Sequence, residues 1–131
     1  SFPTRRSSIS EEVILLGATG TRLDHALANI GMLEKLAAGH ISGKIVDKHN
    51  EIEMLCGQNE KKYKKQPDRP FFSLMAWGGS VTGIDLIGFS YPLANASLQP
   101  SQSLGISNEL AEEWGTLRMK TGKLLVIRSV D

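Results

Sequence analysis

Apolar and polar positions along this chain follow two rhythms, and the change between them falls near residue 40. The first stretch opens with Val13-Ile14-Leu15-Leu16, a continuous apolar run with two β-branched residues, closed by Gly17. It predicts a short buried strand over Glu12–Leu16. Gly17-Ala18-Thr19-Gly20-Thr21-Arg22 is a turn of small residues. Behind it Leu23, Leu27 and Ile30, with Ala26, Leu33 and Ala37 one row over, recur at three- and four-residue spacing. That spacing predicts an amphipathic helix from about Asp24 to Ala38, with Gly39 at the left-handed position past its end. Strand, turn and helix together make a piece of an α/β unit, too small to fold alone.

From Gly43 onward the period becomes that of strands. Lys44-Ile45-Val46 and Ile52-Glu53-Met54-Leu55 flank the polar turn Asp47–Glu51, a hairpin in which Asn50 tolerates the left-handed conformation. Lys61–Lys65 reads as a charged short strand or loop, and Phe71–Trp77 as a strand buried on both faces. Ile84–Tyr91 reads as a strand with Ile87, Phe89 and Tyr91 on one face and Ile84 and Leu86 on the other. Leu117 and Met119 alternate with polar neighbours, and Thr121-Gly122 turns the chain into Leu124-Leu125-Val126-Ile127. The expected fold class is α+β, a truncated α/β strand-turn-helix piece followed by an antiparallel β-sandwich. The expected division is 1–8 as an unrelated leader or scar, 9–43 as the α/β piece and 44–131 as the β-sandwich domain.

Composition narrows the function without naming it. The chain has 131 residues, 40% hydrophobic and 22% charged, which is ordinary globular composition. Fifteen Lys and Arg oppose fourteen Asp and Glu, for a formal charge of +1. No net field singles out nucleic acid or a membrane surface, and neither is expected as a partner. The single cysteine, Cys56, excludes an internal disulfide framework and a Cys-based zinc site. A cytoplasmic setting is expected.

Two stretches could carry chemistry. A Gly-rich turn entering a helix presents unpaired backbone N–H groups and the positive end of the helix dipole, which suits an anion. Arg22 adds a bidentate phosphate donor, and Asp24 either caps the helix or holds a nucleotide's magnesium ion. The spacing is neither a Walker A loop nor a dinucleotide fingerprint, so a plain tight turn remains the alternative. His25 either contacts a phosphate or is solvated. The second stretch is Leu86–Asn108, which contains no charged side chain and ends in Leu104-Gly105-Ile106-Ser107-Asn108. It either lines a small-molecule site with Ser and Asn groups or is a structured connection. The Lys61–Lys65 cluster reads as a lysine-protected edge strand rather than a nucleic-acid patch. Trp77 and Trp114 read as core or interface residues rather than ligand platforms, and Cys56 as a small core residue.

Taken together the two stretches resemble one family. Gly17-Ala18-Thr19-Gly20-Thr21-Arg22-Leu23-Asp24-His25-Ala26-Leu27-Ala28-Asn29 resembles the Gly-x-Arg-x-Asp-His-x-x-x-Asn stretch of thiamine pyrophosphokinases. Gly105-Ile106-Ser107-Asn108-Glu109, followed by the hairpin ending at Ile127, is similar to that family's thiamine-binding C-terminal domain. The resemblance covers roughly residues 9–131. It implies transfer of diphosphate from ATP to the hydroxyl of thiamine, giving thiamine diphosphate and AMP, with magnesium, in a homodimer whose active site lies between subunits. It assigns Arg22 and Asp24 to the phosphates, with Asp24 a possible magnesium ligand. Gly17, Thr19, Gly20 and His25 go to the nucleotide, and Ser107 and Asn108 to thiamine. The family's Asp-rich metal motifs precede the strand at Glu12, so the resemblance also implies that this chain lacks most of the metal site and is inactive alone. The alternative is a non-catalytic module that binds thiamine and dimerises. Either way, the strand at Val13–Leu16 and the helix face are expected to be partly uncovered or docked onto the β domain.

Overall fold

A computed structural model describes residues 12–16, 22–102 and 105–131. Its elements in chain order are β1 (Glu12–Leu16), α1 (Leu23–Ala38), β2 (Ser42–Val46), β3 (Asn50–Cys56), β4 (Asn59–Lys64), β5 (Phe71–Ala76), β6 (Val81–Ile87), β7 (Leu93–Leu98), β8 (Trp114–Met119) and β9 (Lys123–Ser129). They form two sheets, one of order β1-β2-β3-β9-β5 and one of order β4-β8-β6-β7. The fold class is the expected α+β one, a strand–helix unit joined to a β-sandwich.

The docking of the strand–helix unit is specific. β1 pairs with β2 in parallel, Val13 opposite Gly43 and Leu15 opposite Ile45. α1 is the crossover that a parallel connection requires. β2 in turn pairs antiparallel with β3, so the sheet runs unbroken through residues 40–44, where the change of rhythm falls.

The larger sheet is the middle of three layers. On one face Leu33 of α1 packs with Val13, Leu15, Ile45, Met54 and Leu125. On the other face Leu55, Phe72, Leu74, Leu124 and Val126 meet Val81, Ile84, Leu86, Leu117 and Met119 of the smaller sheet. Being covered on both sides is why β3 and β9 carry runs of adjacent apolar residues instead of alternation. Gly43 lets the helix approach: a Cβ there would lie 2.8 Å from Leu36 Cδ1.

Local details depart from the sequence expectations for identifiable reasons. Gly39 is not left-handed (φ −89°); His40 is, at φ 57°. The Ile41 N–H donates to Leu36 O (2.8 Å) and the His40 N–H to Ala37 O (3.0 Å), a Schellman closure shifted one residue on. Asn50, which could take the left-handed conformation, does not, and Asp47 closes that turn. Its carboxylate accepts from the N–H groups of His49 (2.9 Å) and Asn50 (2.7 Å). The strand read over Ile84–Tyr91 ends at Ile87. Gly88 (φ 85°) breaks the alternation, leaving Ile87 and Tyr91 exposed while Phe89 turns into the core. The uncharged stretch after it contains β7, an edge strand that register shifts against β6 and a left-handed Asn95 hide from periodicity. Met75 of β5 and Trp114 of β8 are exposed rather than core.

Candidate functional site

Arg22 stands at the N-terminal boundary of α1, extended at φ −77° and ψ 109°, with no side-chain cap on the helix. Its guanidinium instead grips Asp24, Nη2 donating to Oδ2 (2.7 Å) and Nε to Oδ1 (3.2 Å). The backbone N–H of His25 also donates to Asp24 Oδ1 (2.8 Å). These bonds, Arg22 first and His25 second, hold the Asp24 carboxyl below its ordinary range. All three residues are exposed. Asp24 therefore neither caps the helix in the usual sense nor stands free. It orients Arg22 at the dipole-positive end of α1, an arrangement open to a phosphate. Gly17, Thr19 and Gly20 lie outside the described residues.

A magnesium site is a poorer fit. Among the described residues no group of three or more His, Cys, Asp and Glu side chains could hold a metal. Both oxygens of Asp24 are already engaged by Arg22. Among the described residues Arg22 is free to meet a phosphate, and Asp24 beside it is the carboxylate at hand for a phosphate-borne ion once released from the guanidinium.

Ser107 and Asn108 lie on a segment zipped between the two sheets. Phe72 and Asn108 exchange backbone bonds in both directions (2.8 and 2.9 Å), and the Leu74 N–H donates to Gly105 O (2.8 Å), so residues 105–108 cover the free edge of β5. Gly105 is required for this approach, since a Cβ would sit 2.6 Å from Leu74 O. On the other side the Ser90 N–H donates to Glu109 O (2.8 Å). The Asn108 side chain is buried and spent on backbone: Oδ1 accepts from Tyr91 N (3.0 Å) and Glu109 N (2.9 Å), and Nδ2 donates to Tyr91 O (2.8 Å). Ser107 is left-handed (φ 59°) and exposed, its N–H donating to Ser73 Oγ (2.9 Å). Asn108 thus positions the turn, and Ser107 is the member of the pair presented to solvent.

The two candidate stretches sit at the same end of the sheet but on opposite edges. One row of register runs Leu16–Val46–Glu51–Arg128–Phe72–Asn108. The five interstrand steps between the strand that leads to Arg22 and Asn108 span about 24 Å at about 4.8 Å each.

A polar cluster inside the sandwich escapes sequence reading. Tyr63 Oη donates to Glu53 Oε1, and Lys61 Nζ donates to Glu53 Oε2 (2.7 Å). Burial first, and the Glu53 charge second, raise the Tyr63 hydroxyl well above its ordinary pKa. β4 is an edge strand, as the lysines suggest, but its alternation turns Lys61 and Tyr63 inward and leaves Glu60, Lys62 and Lys64 outside. That period of two was the available signal.

Comparison with known proteins places this architecture. Residues 60–125 match the family model described as thiamin pyrophosphokinase, vitamin B1 binding domain. The thiamine pyrophosphokinase of Bacillus subtilis (strain 168) is 35% identical over 117 residues, covering 89% of this chain and 54% of that protein. The crystal structure of thiamine pyrophosphokinase from Bacillus subtilis superposes with a TM-score of 0.87 at 34% identity, covering 92% of this chain and 56% of that one. That of the Geobacillus thermodenitrificans protein gives 0.84 at 32%, covering 95% and 56%. The chain spans about half the length of these relatives. With a family model matched over half its residues and the same fold throughout, the chain belongs to the thiamine pyrophosphokinase family.

Proposed function

We propose that the protein of which this chain forms part transfers diphosphate from ATP to the hydroxyl of thiamine, yielding thiamine diphosphate and AMP. The observation that carries this reading is the vitamin B1 binding model matched across residues 60–125, within a fold superposing at a TM-score of 0.87 on a thiamine pyrophosphokinase. Residues 44–131 serve as the thiamine-binding sandwich, and residues 9–43 as the end of the catalytic α/β domain. Residues 1–8 are an unrelated leader or scar.

In this reading Arg22 receives the phosphates at the helix entrance, aligned by Asp24, with Gly17, Thr19, Gly20 and His25 at the nucleotide. Diphosphate transfer asks the protein chiefly to position the reactants and neutralise phosphate charge, and a guanidinium at a helix N-terminus does both. Ser107 contacts thiamine from the turn that Asn108 holds. Magnesium accompanies ATP and is held mainly by carboxylates outside this chain. Because Arg22 and Ser107 lie at opposite sheet edges, one chain does not close a site around both substrates, and a homodimer that brings the two edges together does. A cytoplasmic location fits a reaction that consumes ATP; among the described residues no helix is long and apolar enough to cross a membrane.

A second reading, that this chain alone is a thiamine-binding and dimerising module without turnover, is favoured by the lack of a metal-binding cluster among the described residues. Calorimetric titration with thiamine and an AMP-release assay separate the two. The full-length protein should bind thiamine and release AMP in the presence of magnesium-ATP, whereas the 131-residue chain should bind without turnover. Failure of the full-length protein to form thiamine diphosphate overturns the enzymatic reading.

A further inference from the structure

Arg128 of β9 is only 5% exposed, and among the described residues no carboxylate pairs with it. Its Nη2 donates to the Lys64 carbonyl (2.6 Å), and its guanidinium carbon lies 5.7 Å from the Tyr63 ring centre and 5.5 Å from that of Phe72. Its Nε is buried with no hydrogen-bond partner. Burial lowers its pKa from the ordinary value, outweighing the carboxylates of Glu51, across the strand, Glu53 and Asp68, which act on it through space without a hydrogen bond.

Two further orphaned atoms occur beside it. Arg69 Nε and Gln66 Oε1 are also buried without partners, although Arg69 is anchored through Nη2 to the Asp47 carbonyl (2.9 Å). Lys65, Gln66, Arg69, Phe72, Glu109 and Arg128 all line one cavity of about 370 Å³. That volume is within the range of small-molecule sites. The lining carries the cationic side chains of Lys65, Arg69 and Arg128 and the carboxylate of Glu109, and Asp68 pairs with Arg69 (3.9 Å) from beside it. Neither Ser107 nor Asn108 is part of it.

We propose that this cavity binds a small organic carboxylate, whose anionic head is received by Arg128 and Arg69 and whose short apolar body lies against Phe72. A planar carboxylate matches guanidinium donors and supplies the hydrogen-bonded counter-charge Arg128 lacks, which a trapped water cannot do. Gln66 joins by turning its amide so that the Nε2 donors face the anion. The same charge balance repels a thiazolium cation, so this site is distinct from the vitamin's and stands or falls independently of the proposed reaction.

The test uses the 131-residue chain, labelled with 15N, titrated at constant ionic strength and followed at the arginine Nε–H resonances. Probes are isobutyrate, its neutral counterpart isobutyramide, inorganic phosphate and chloride. The expected result is a saturable shift of the Arg128 resonance with isobutyrate and none with isobutyramide. Arg69→Gln and Gln66→Leu should each weaken binding, the former by roughly tenfold or more. These two keep the test intact should Arg128→Met fail to fold. A response to isobutyramide equal to that of isobutyrate, tighter saturation by phosphate, or no saturation beyond chloride overturns the assignment.

Discussion

Asn108 binds Tyr91 as though it were a strand residue. Its side-chain amide takes the Tyr91 N–H at 3.0 Å and the Tyr91 carbonyl at 2.8 Å, while its own backbone pairs with Phe72 on the opposite sheet. One residue thereby ties the two layers of the sandwich at the edge of β5. Asn108→Ala removes the tie and leaves these backbone groups to find water, at about 1–3 kcal/mol. Tyr91→Ala, which deletes a side chain that is 70% exposed but keeps the backbone, should change little. Urea denaturation of both variants checks this. Equal losses would show that the amide clip is not what Asn108 contributes.

Glycine substitutions should rank by what the new methyl meets. At Gly105 it meets backbone, Leu74 O at 2.6 Å, which cannot move without breaking the pairing with β5. At Gly43 it meets the end of a flexible side chain, Leu36 Cδ1 at 2.8 Å. Gly105→Ala should therefore cost more than Gly43→Ala, within the roughly 1–3 kcal/mol typical of overpacking. It should also raise amide exchange at Phe72 and Leu74. Hydrogen exchange together with denaturation midpoints tests the order.

Much of this was legible because it depends on local spacing. The helix over Leu23–Ala38, the strand at Glu12–Leu16 and the hairpin at Thr121-Gly122 each announce themselves in a few residues. The pairing of β1 with β2 was less accessible, since nothing in Val13–Leu16 names its partner. β7 stayed hidden because its register slips and its Asn95 is left-handed. Of the candidate site, Arg22 and Asp24 stand out in the sequence as a phosphate donor and a cap or metal ligand, but their grip on each other does not. Nor does the buried engagement of Asn108, since its partners Tyr91 and Phe72 are distant in the chain. Charge count also misled at Lys61, where the pleat decides which lysine meets Glu53.

Tyr63 should give the fold an alkaline limit. Its hydroxyl pKa is raised in the folded state, by burial first and the Glu53 charge next, from an ordinary value of 10.0. A raised pKa means that stability from the neutral phenol is fully present below about pH 10 and is lost as pH climbs through the folded value. Comparing Tyr63→Phe with the parent chain isolates this contribution. The variant should be less stable at neutral pH, because Glu53 keeps only Lys61, yet its stability should decline less steeply above pH 10. Parallel alkaline profiles for the two proteins in urea would refute the assignment.

Arg22 and Asp24 should matter to turnover and not to folding. Both side chains are largely exposed and their pairing is at the surface, where salt and solvent screen it. In the full-length protein Arg22→Gln should lower kcat for diphosphate transfer by roughly a hundredfold, the scale of losing one donor to developing charge. Asp24→Asn keeps its acceptor oxygen but weakens the grip on the guanidinium, and should act in the same direction to a smaller degree. Thermal midpoints of both variants should match the parent. A fall in midpoint that accounts for the lost activity would assign the pair a structural role instead.

The uncovered apolar surface of the strand–helix unit should drive self-association. Val13 and Leu15 face the helix, which leaves Ile14 and Leu16 on the opposite face, where the smaller sheet does not reach. Leu23 and Leu27 at the start of α1 are exposed as well, because only the later turns of the helix carry buried or partly buried side chains. Among the described residues β1 is also an edge strand, with one row of backbone groups unpaired. The 131-residue chain should therefore gain mass with concentration in light scattering, and Ile14→Lys with Leu16→Lys should suppress that gain without lowering the unfolding midpoint. Val13→Lys, by contrast, buries a charge against Leu33 and should unfold the unit. If the double lysine variant associates as strongly as the parent, the contact lies elsewhere, and the sandwich edge around Ser107 becomes the place to look.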